Sequence, residues 1–204
     1  MTPLEATLHQ IDVDLISAQV AFALVGGLAV SVRTEPRFTR DADLAVAVAT
    51  DREAEALIHR LLGGGYLVES LVEQEAVGRL ATVRLARSSA PREPVVDLLF
   101  ASSGIEPEIV TDAEPIDLLP HLRMGVAQVG HLIALKVLSR DDVRRPQDLV
   151  DLRALLRVSS SAEIERARRS LTLIAARGYN RGRHLLPELD AVLRPPNESG
   201  PATR

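Results

Sequence analysis

The sequence predicts an α+β fold in two parts, and three observations carry that reading. Strand-like and helical stretches intermingle up to residue 118, the pattern is helical alone from residue 130 onward, and one helix separates the first two strands before further strands follow one another directly. The last of these excludes a doubly wound parallel sheet. The expected division is a mixed domain over residues 1–118, a helical region over 119–193 and a disordered tail over 194–204, where three prolines occur without an apolar run. No internal repeat is visible.

The first element opens on Thr2-Pro3-Leu4-Glu5, a capping box with proline at the first helical position, and Leu4, Leu8, Ile11 and Leu15 keep helical spacing to about Ser17. Residues 20–25 read as a short buried strand ending at Gly26-Gly27, with a helical stretch to residue 32 and an Arg- and Pro-containing loop over 33–40. Residues 41–48 alternate as a strand does. Asp51 opens a helix that stops at Gly63-Gly64-Gly65, a C-cap and turn rather than a second phosphate loop. Strand-like runs over 66–73, 77–86 and 94–100 follow, and then helices over 131–140, 146–157, 162–177 and 181–193.

Composition narrows the function classes. With 204 residues, 46% of them apolar and 25% charged, the chain has the make-up of an ordinary globular protein. It contains no cysteine, which excludes disulfide scaffolds, Cys-ligated zinc and thiol catalysis and makes a reducing, cytoplasmic setting the expectation. The longest apolar stretch, residues 20–32, is interrupted by two glycines and falls short of a bilayer, so no membrane partner is expected. A net charge of −4 argues against binding nucleic acid through overall charge, so any such binding needs a local patch. The aromatics Phe22, Phe38, Tyr66, Phe100 and Tyr179 are too few for a base-stacking platform, and His9, His59, His121, His131 and His184 show no metal-ligand spacing. The run Arg166, Arg168, Arg169, Arg177, Arg181 and Arg183 reads equally as a solvated helix face or as a patch that grips an RNA backbone.

The residues that carry chemistry are acids. Asp41 and Asp43 stand two apart in a strand, so both carboxylates share one face, where like charges repel unless a divalent cation lies between them. Asp97 is a lone acid in the apolar run Val95-Val96-Asp97-Leu98-Leu99-Phe100, where an unpaired charge is costly. If that strand lies beside residues 41–48, three carboxylates converge on a site for one or two Mg²⁺ ions and hence for phosphoryl or nucleotidyl chemistry. Gly26 and Gly27, at a strand-to-helix turn, let backbone N–H groups approach a phosphate. Plainer readings stand beside these: a turn for the glycines, a solvated strand edge for Asp41 and Asp43, a snorkelling stem for Lys136, the only lysine among 24 basic residues, and helix-dipole partners for Asp148 and Asp151.

A strand ending in Gly26-Gly27, a loop of about a dozen residues, Asp41-Ala42-Asp43-Leu44 and the later Asp97 together resemble the nucleotidyltransferase fingerprint of the DNA polymerase β-like fold. His131-Leu132-Ile133-Ala134-Leu135-Lys136 and the following Arg144-Arg145-Pro146-Gln147-Asp148-Leu149-Val150-Asp151-Leu152 look like the Lys and (R)xxDxxDL motifs of AbiEii-type toxins, including the mycobacterial MenT toxins. The resemblance covers about residues 22–156. It implies a polymerase β-like nucleotidyltransferase domain with a mixed sheet, a helical region and an active site in the cleft between them.

The same resemblance implies a mechanism. Asp41, Asp43 and Asp97 would hold Mg²⁺ on the triphosphate of an NTP, Gly26 and Gly27 would seat its phosphates, and Lys136 would neutralise charge on the triphosphate or departing pyrophosphate. Asp97, Asp148 or Asp151 would orient or deprotonate an attacking 3′-hydroxyl of tRNA, so that NMP addition blocks aminoacylation. A cognate antitoxin is the implied partner. Related toxins are silenced by phosphorylation in the loop before Asp41, which offers Thr39, and after it Ser31, as a regulatory hydroxyl and makes a kinase one candidate form of the antitoxin. The competing functions are nucleotide transfer to a small antibiotic or a protein side chain, and a catalytically silent nucleotidyltransferase-fold antitoxin.

Overall fold

A computed structural model describes residues 2–37, 39–87 and 94–194. The tail expected from residue 194 lies, beyond Arg194, outside the described residues, as does Phe38. The elements run α1 (Pro3–Ser17), β1 (Phe22–Val25), α2 (Gly26–Arg33), β2 (Ala42–Val46), α3 (Asp51–Gly63), β3 (Tyr66–Gln74), β4 (Arg79–Arg87), β5 (Val96–Leu99), α4 (Glu106–Thr111), β6 (Glu114–Leu119), β7 (Leu122–Val126), α5 (Val129–Ser139), α6 (Pro146–Val158), α7 (Ser161–Ala176) and α8 (Leu185–Leu193). No helix among the described residues is long and apolar enough to cross a membrane.

Local chemistry explains most of these boundaries. Thr2 and Glu5 form both halves of the expected capping box, and α1 buries Leu8, Ile11 and Leu15. Thr50 caps α3 by accepting from the Glu53 amide, and the helix ends at Gly64. The last helix starts at Leu185 and not at residue 181, because Arg181 and Gly182 both take left-handed backbone, with φ of 55° and 70°, which a helix cannot contain.

One seven-stranded mixed sheet runs β3-β4-β5-β2-β1-β7-β6. β1 pairs antiparallel with β2 and parallel with β7, while β2 pairs parallel with β5. The β6–β7 hairpin and α4 were not expected from the sequence. The boundary drawn after residue 118 falls inside β6, and β7 continues the sheet to Val126. A hairpin this short, carrying Pro115 in one strand and a single buried face of Leu122, Met124 and Val126 in the other, leaves only a weak alternation to read. Beyond the sheet, α5 is the hub of the helices, packing against α7, α6, α8 and α2. It buries Leu132, Ile133, Ala134, Val137 and Leu138, and Gly130 lets α7 cross closely: a Cβ there would lie 2.5 Å from the Glu163 carbonyl oxygen. The hub is thereby fixed against α7, with α2 and α6 packed on it as well, and Lys136 is held at a set depth among them.

Candidate active site

A cleft of about 630 Å³ lies between the C-terminal end of β1, the β2–β5–β4 face of the sheet and the helices α5 and α6. That volume suits a nucleotide-sized ligand. Its sheet wall is a row of side chains set by register: Val25 on β1 faces Asp43 on β2, Asp43 faces Asp97 on β5, and Asp97 faces Arg84 on β4. Residues i and i+2 share a face, so Asp41 and Thr82 line the same wall.

Three carboxylates and one cation share this wall. Arg84 grips Asp97 with two bonds, Nε to Oδ1 at 2.8 Å and Nη2 to Oδ2 at 2.6 Å, and stands 3.9 Å from Asp41. Burial, reinforced by the neighbouring charges of Asp97 and Asp41, pushes the Asp43 carboxyl up to about 6 against the pull of Lys136 and a hydrogen bond from the Gly27 amide. A buried carboxylate repelled by two others is a donor set that a divalent cation would relieve, so Asp41 and Asp43 fit Mg²⁺. Asp97 is less available than expected. Among the described residues no group of three or more acid or imidazole side chains is arranged to hold a metal ion, and both oxygens of Asp97 are taken up by the Arg84 guanidinium.

Gly26 earns its place geometrically. Its φ is +63°, and a Cβ there would stand 1.9 Å from Asp43 Oδ2, so only glycine admits the carboxylate against the strand-to-helix turn. A Cβ on Gly27 would meet Arg37 Nη2 at 2.6 Å and Thr39 Oγ1 at 3.2 Å. The loop before β2 therefore folds over the start of α2, and Thr39 lines the cleft. Ser31 lies one helical turn on, with its hydroxyl donating to the Gly27 carbonyl at 3.1 Å.

The helical wall is built differently. Lys136, only 9% exposed, donates to Asp148 Oδ1 at 2.7 Å and pairs with Asp151 Oδ2 at 2.8 Å. Asp148 also accepts from Ser139 at 3.0 Å and pairs with Arg145 at 3.0 Å, while Asp151 accepts from Arg37 at 2.8 Å and from Gln147 at 3.0 Å. Those bonds hold the Asp151 carboxyl below the usual carboxylate range against its burial. Both acids are thus committed to orienting cations, and neither is placed as a free base. Lys136, Arg37 and Arg145 all gather on these two carboxylates, with Arg144 and Arg181 also lining the cleft, so cations crowd this wall.

The sequence reading did not single out Arg84, Arg37 or Ser102, all of which line the cleft. Arg84 carried a signal in hindsight, since Thr82 and Arg84 alternate with the buried Val83 and Leu85 on β4. Arg37 carried none, because its partner lies 114 residues away.

A mixed sheet bearing paired acids beside a glycine turn, faced by a fixed lysine, is an arrangement suited to nucleotidyl transfer. The profile of the family described as the nucleotidyl transferase AbiEii toxin of type IV toxin–antitoxin systems matches residues 17–201, and the chain belongs to that family. Membership implies a nucleoside triphosphate substrate and an antitoxin partner. Among solved structures, an antigenic nucleotidyltransferase-like protein from Paracoccidioides brasiliensis aligns with a TM-score of 0.54 and 17% identity over 94% of this chain and 92% of its own. The antibiotic-resistance factor ANT(2'')-Ia aligns at 0.51 and 18% identity, over 87% of this chain and 94% of its own. At these identities the likeness is one of fold. No curated protein matches the chain in sequence.

Proposed function

We propose that this chain is a Mg²⁺-dependent toxin that transfers NMP from an NTP to the 3′ end of tRNA in the cytoplasm, blocking aminoacylation and translation. The observation that supports it is the opposition of residual charge across one cleft, negative on the sheet wall and positive on the helical wall. A metal-bound nucleotide needs both. When bound at Asp41 and Asp43, beside Asp97, Mg²⁺ would neutralise phosphate oxygens and hold the triphosphate in line. Gly26 and Gly27 seat phosphate oxygens, and Lys136, steadied by Asp148 and Asp151, meets the charge that develops on the leaving pyrophosphate.

The 3′-hydroxyl oxygen attacks the α-phosphorus. Its new O–P bond forms as the bond to the bridging oxygen breaks, and pyrophosphate departs with that electron pair. Asp97, fixed by Arg84, orients the hydroxyl, whose proton is released to solvent water, since Asp148 and Asp151 are likewise spent on Lys136. Thr39 is the regulatory hydroxyl of this reading: a phosphate on it would set close to two negative charges beside Asp41 and over Gly27, where the nucleotide belongs. Mass spectrometry after coexpression with the antitoxin should find Thr39 phosphorylated; an unmodified Thr39 in growth-arrest-protected cells removes that part.

The transfer is tested by incubating the protein and its Asp41→Ala variant with Mg²⁺, each α-labelled NTP in turn and total tRNA. Label on tRNA with the wild type alone is expected. Label on an aminoglycoside or a protein with none on RNA overturns the choice of acceptor.

A further inference from the structure

The six arginines at positions 166, 168, 169, 177, 181 and 183 do not form one patch. Arg166 pairs with Glu163 and Asp112, Arg168 with Asp190, Arg169 with Glu165, Arg177 with Glu108 and Arg183 with Glu188. Arg181 alone has no acid within ion-pair distance among the described residues. Its one hydrogen bond, from Nη2 to the Ser102 carbonyl at 3.3 Å, leaves most of the guanidinium's donors unused.

The position of Arg181 is as unusual as its lack of a partner. It sits in the α7–α8 turn with φ +55°, a left-handed conformation that a long side chain adopts at a cost and that concentrates at functional sites. The turn is clamped across the end of the cleft: Arg177 donates to the Gly104 carbonyl on the sheet side, Tyr179 packs where a Cβ on Gly104 would fall, and Arg183 donates to the Leu138 carbonyl of α5 at 2.7 Å. Arg181 thereby lines the cleft together with Ser102, Arg144 and Arg145. The residue is exposed to solvent, and desolvation of its guanidinium at the cleft end, with Arg145 and Arg183 close by, pulls its pKa below the ordinary arginine value against the opposing charge of Glu106. Arg145 and Arg183 are each held by an acid of their own, whereas Arg181 has none within ion-pair distance among the described residues, and a cation so placed at the end of a cleft suits an anion.

The cations along the cleft are ordered by their bonds. Arg37 reaches Gly27 and Asp151; Asp151 meets Lys136; Lys136 meets Asp148; Asp148 meets Arg145, whose charge bears on Arg181. Arg181 is therefore at the far end of this chain from the glycine turn that seats the triphosphate. We propose that Arg181 binds a backbone phosphate of the RNA acceptor, fixing the strand whose 3′-hydroxyl enters the cleft. The proposal rests on the reading of RNA as acceptor.

The test uses full-length protein, fluorescently labelled bulk tRNA in an anisotropy titration, and NTP with Mg²⁺ in a separate calorimetric titration. Two variants remove the charge: Arg181→Gln, and Arg181→Gly, which suits the left-handed backbone and keeps the turn folded. The expected result is a loss of about tenfold in tRNA affinity for both variants, a salt dependence shallower by about one released ion, and NTP affinity within about twofold of wild type. Arg181→Lys should recover part of the loss. Weakened NTP binding with unchanged tRNA affinity would assign the subsite to the triphosphate and overturn the proposal, as would variants that bind both ligands like the wild type. A wild-type protein that binds NTP but no tRNA would instead overturn the functional reading itself, and this proposal with it.

Discussion

The two walls of the cleft use acids in opposite ways. On the sheet wall, Asp41, Asp43 and Asp97 crowd one another with a single arginine between them, and the Asp43 carboxyl is pushed up to about 6 as a result. On the helical wall, Asp148 and Asp151 are almost fully buried, yet each is surrounded by cations and amide or hydroxyl donors, and Asp151 is held below its usual range. Acids of the first kind cost stability until a ligand arrives; acids of the second kind are part of what holds the protein together. The same residue type thus marks a binding site in one place and scaffolding in the other, and what separates them is the count of charges around each.

Breaking each wall should therefore give different losses. Asp41→Asn should lower transfer by about 10³-fold or more, worth about 4 kcal/mol of transition-state stabilisation, while leaving the unfolding temperature unchanged or slightly raised. Activity and calorimetric unfolding on the same preparation check this; destabilisation alongside lost activity would erase the distinction. Asp151→Ala should do the reverse first, costing about 3 kcal/mol of folding stability, because it strands Lys136 without one of its two buried partners and removes a carboxylate that Arg37 holds. Denaturant unfolding measures it, and a neutral result would mean that the helical wall is not structural.

Gly26→Ala probes the seam between the walls. Left-handed backbone and the 1.9 Å approach to Asp43 Oδ2 predict a cost of about 2 kcal/mol, together with weaker nucleotide binding in a titration with NTP and Mg²⁺. The smallest effect concerns pH. His131 on α5 is buried among Asp112, Glu108, Glu163 and Arg166, and burial depresses its pKa below 6.5 despite Asp112. A depressed folded value means that the unfolded chain binds the proton first, so stability should fall as pH drops through about 6.5. His131→Gln should flatten that part of the stability profile, and an unchanged slope would place the titration elsewhere.

Legibility in the sequence followed distance along the chain. Asp41 and Asp43, Gly26-Gly27, and Lys136 with Asp148 and Asp151 are local patterns, and an acid inside an apolar strand draws attention to Asp97 wherever it folds. The sheet order brings Asp43 and Asp97 face to face as the apolar runs around them suggested. Arg84 was hidden because its role depends on the β4–β5 register, and Arg37 because its carboxylate lies on α6. The weakly patterned β6–β7 hairpin and the short α4 escaped for want of length. Arg181 was visible only as one of six similar residues, and it took the six ion pairs of the other five to set it apart.

The division of labour between the walls is most directly tested by a crystal structure with Mn²⁺ and a non-hydrolysable NTP. The account predicts an anomalous peak between Asp41 and Asp43, triphosphate oxygens at the Gly26-Gly27 turn and Lys136, and Arg181 clear of the nucleotide. Metal bound away from those two aspartates, or a triphosphate lying on Arg181 instead of the glycine turn, would contradict it.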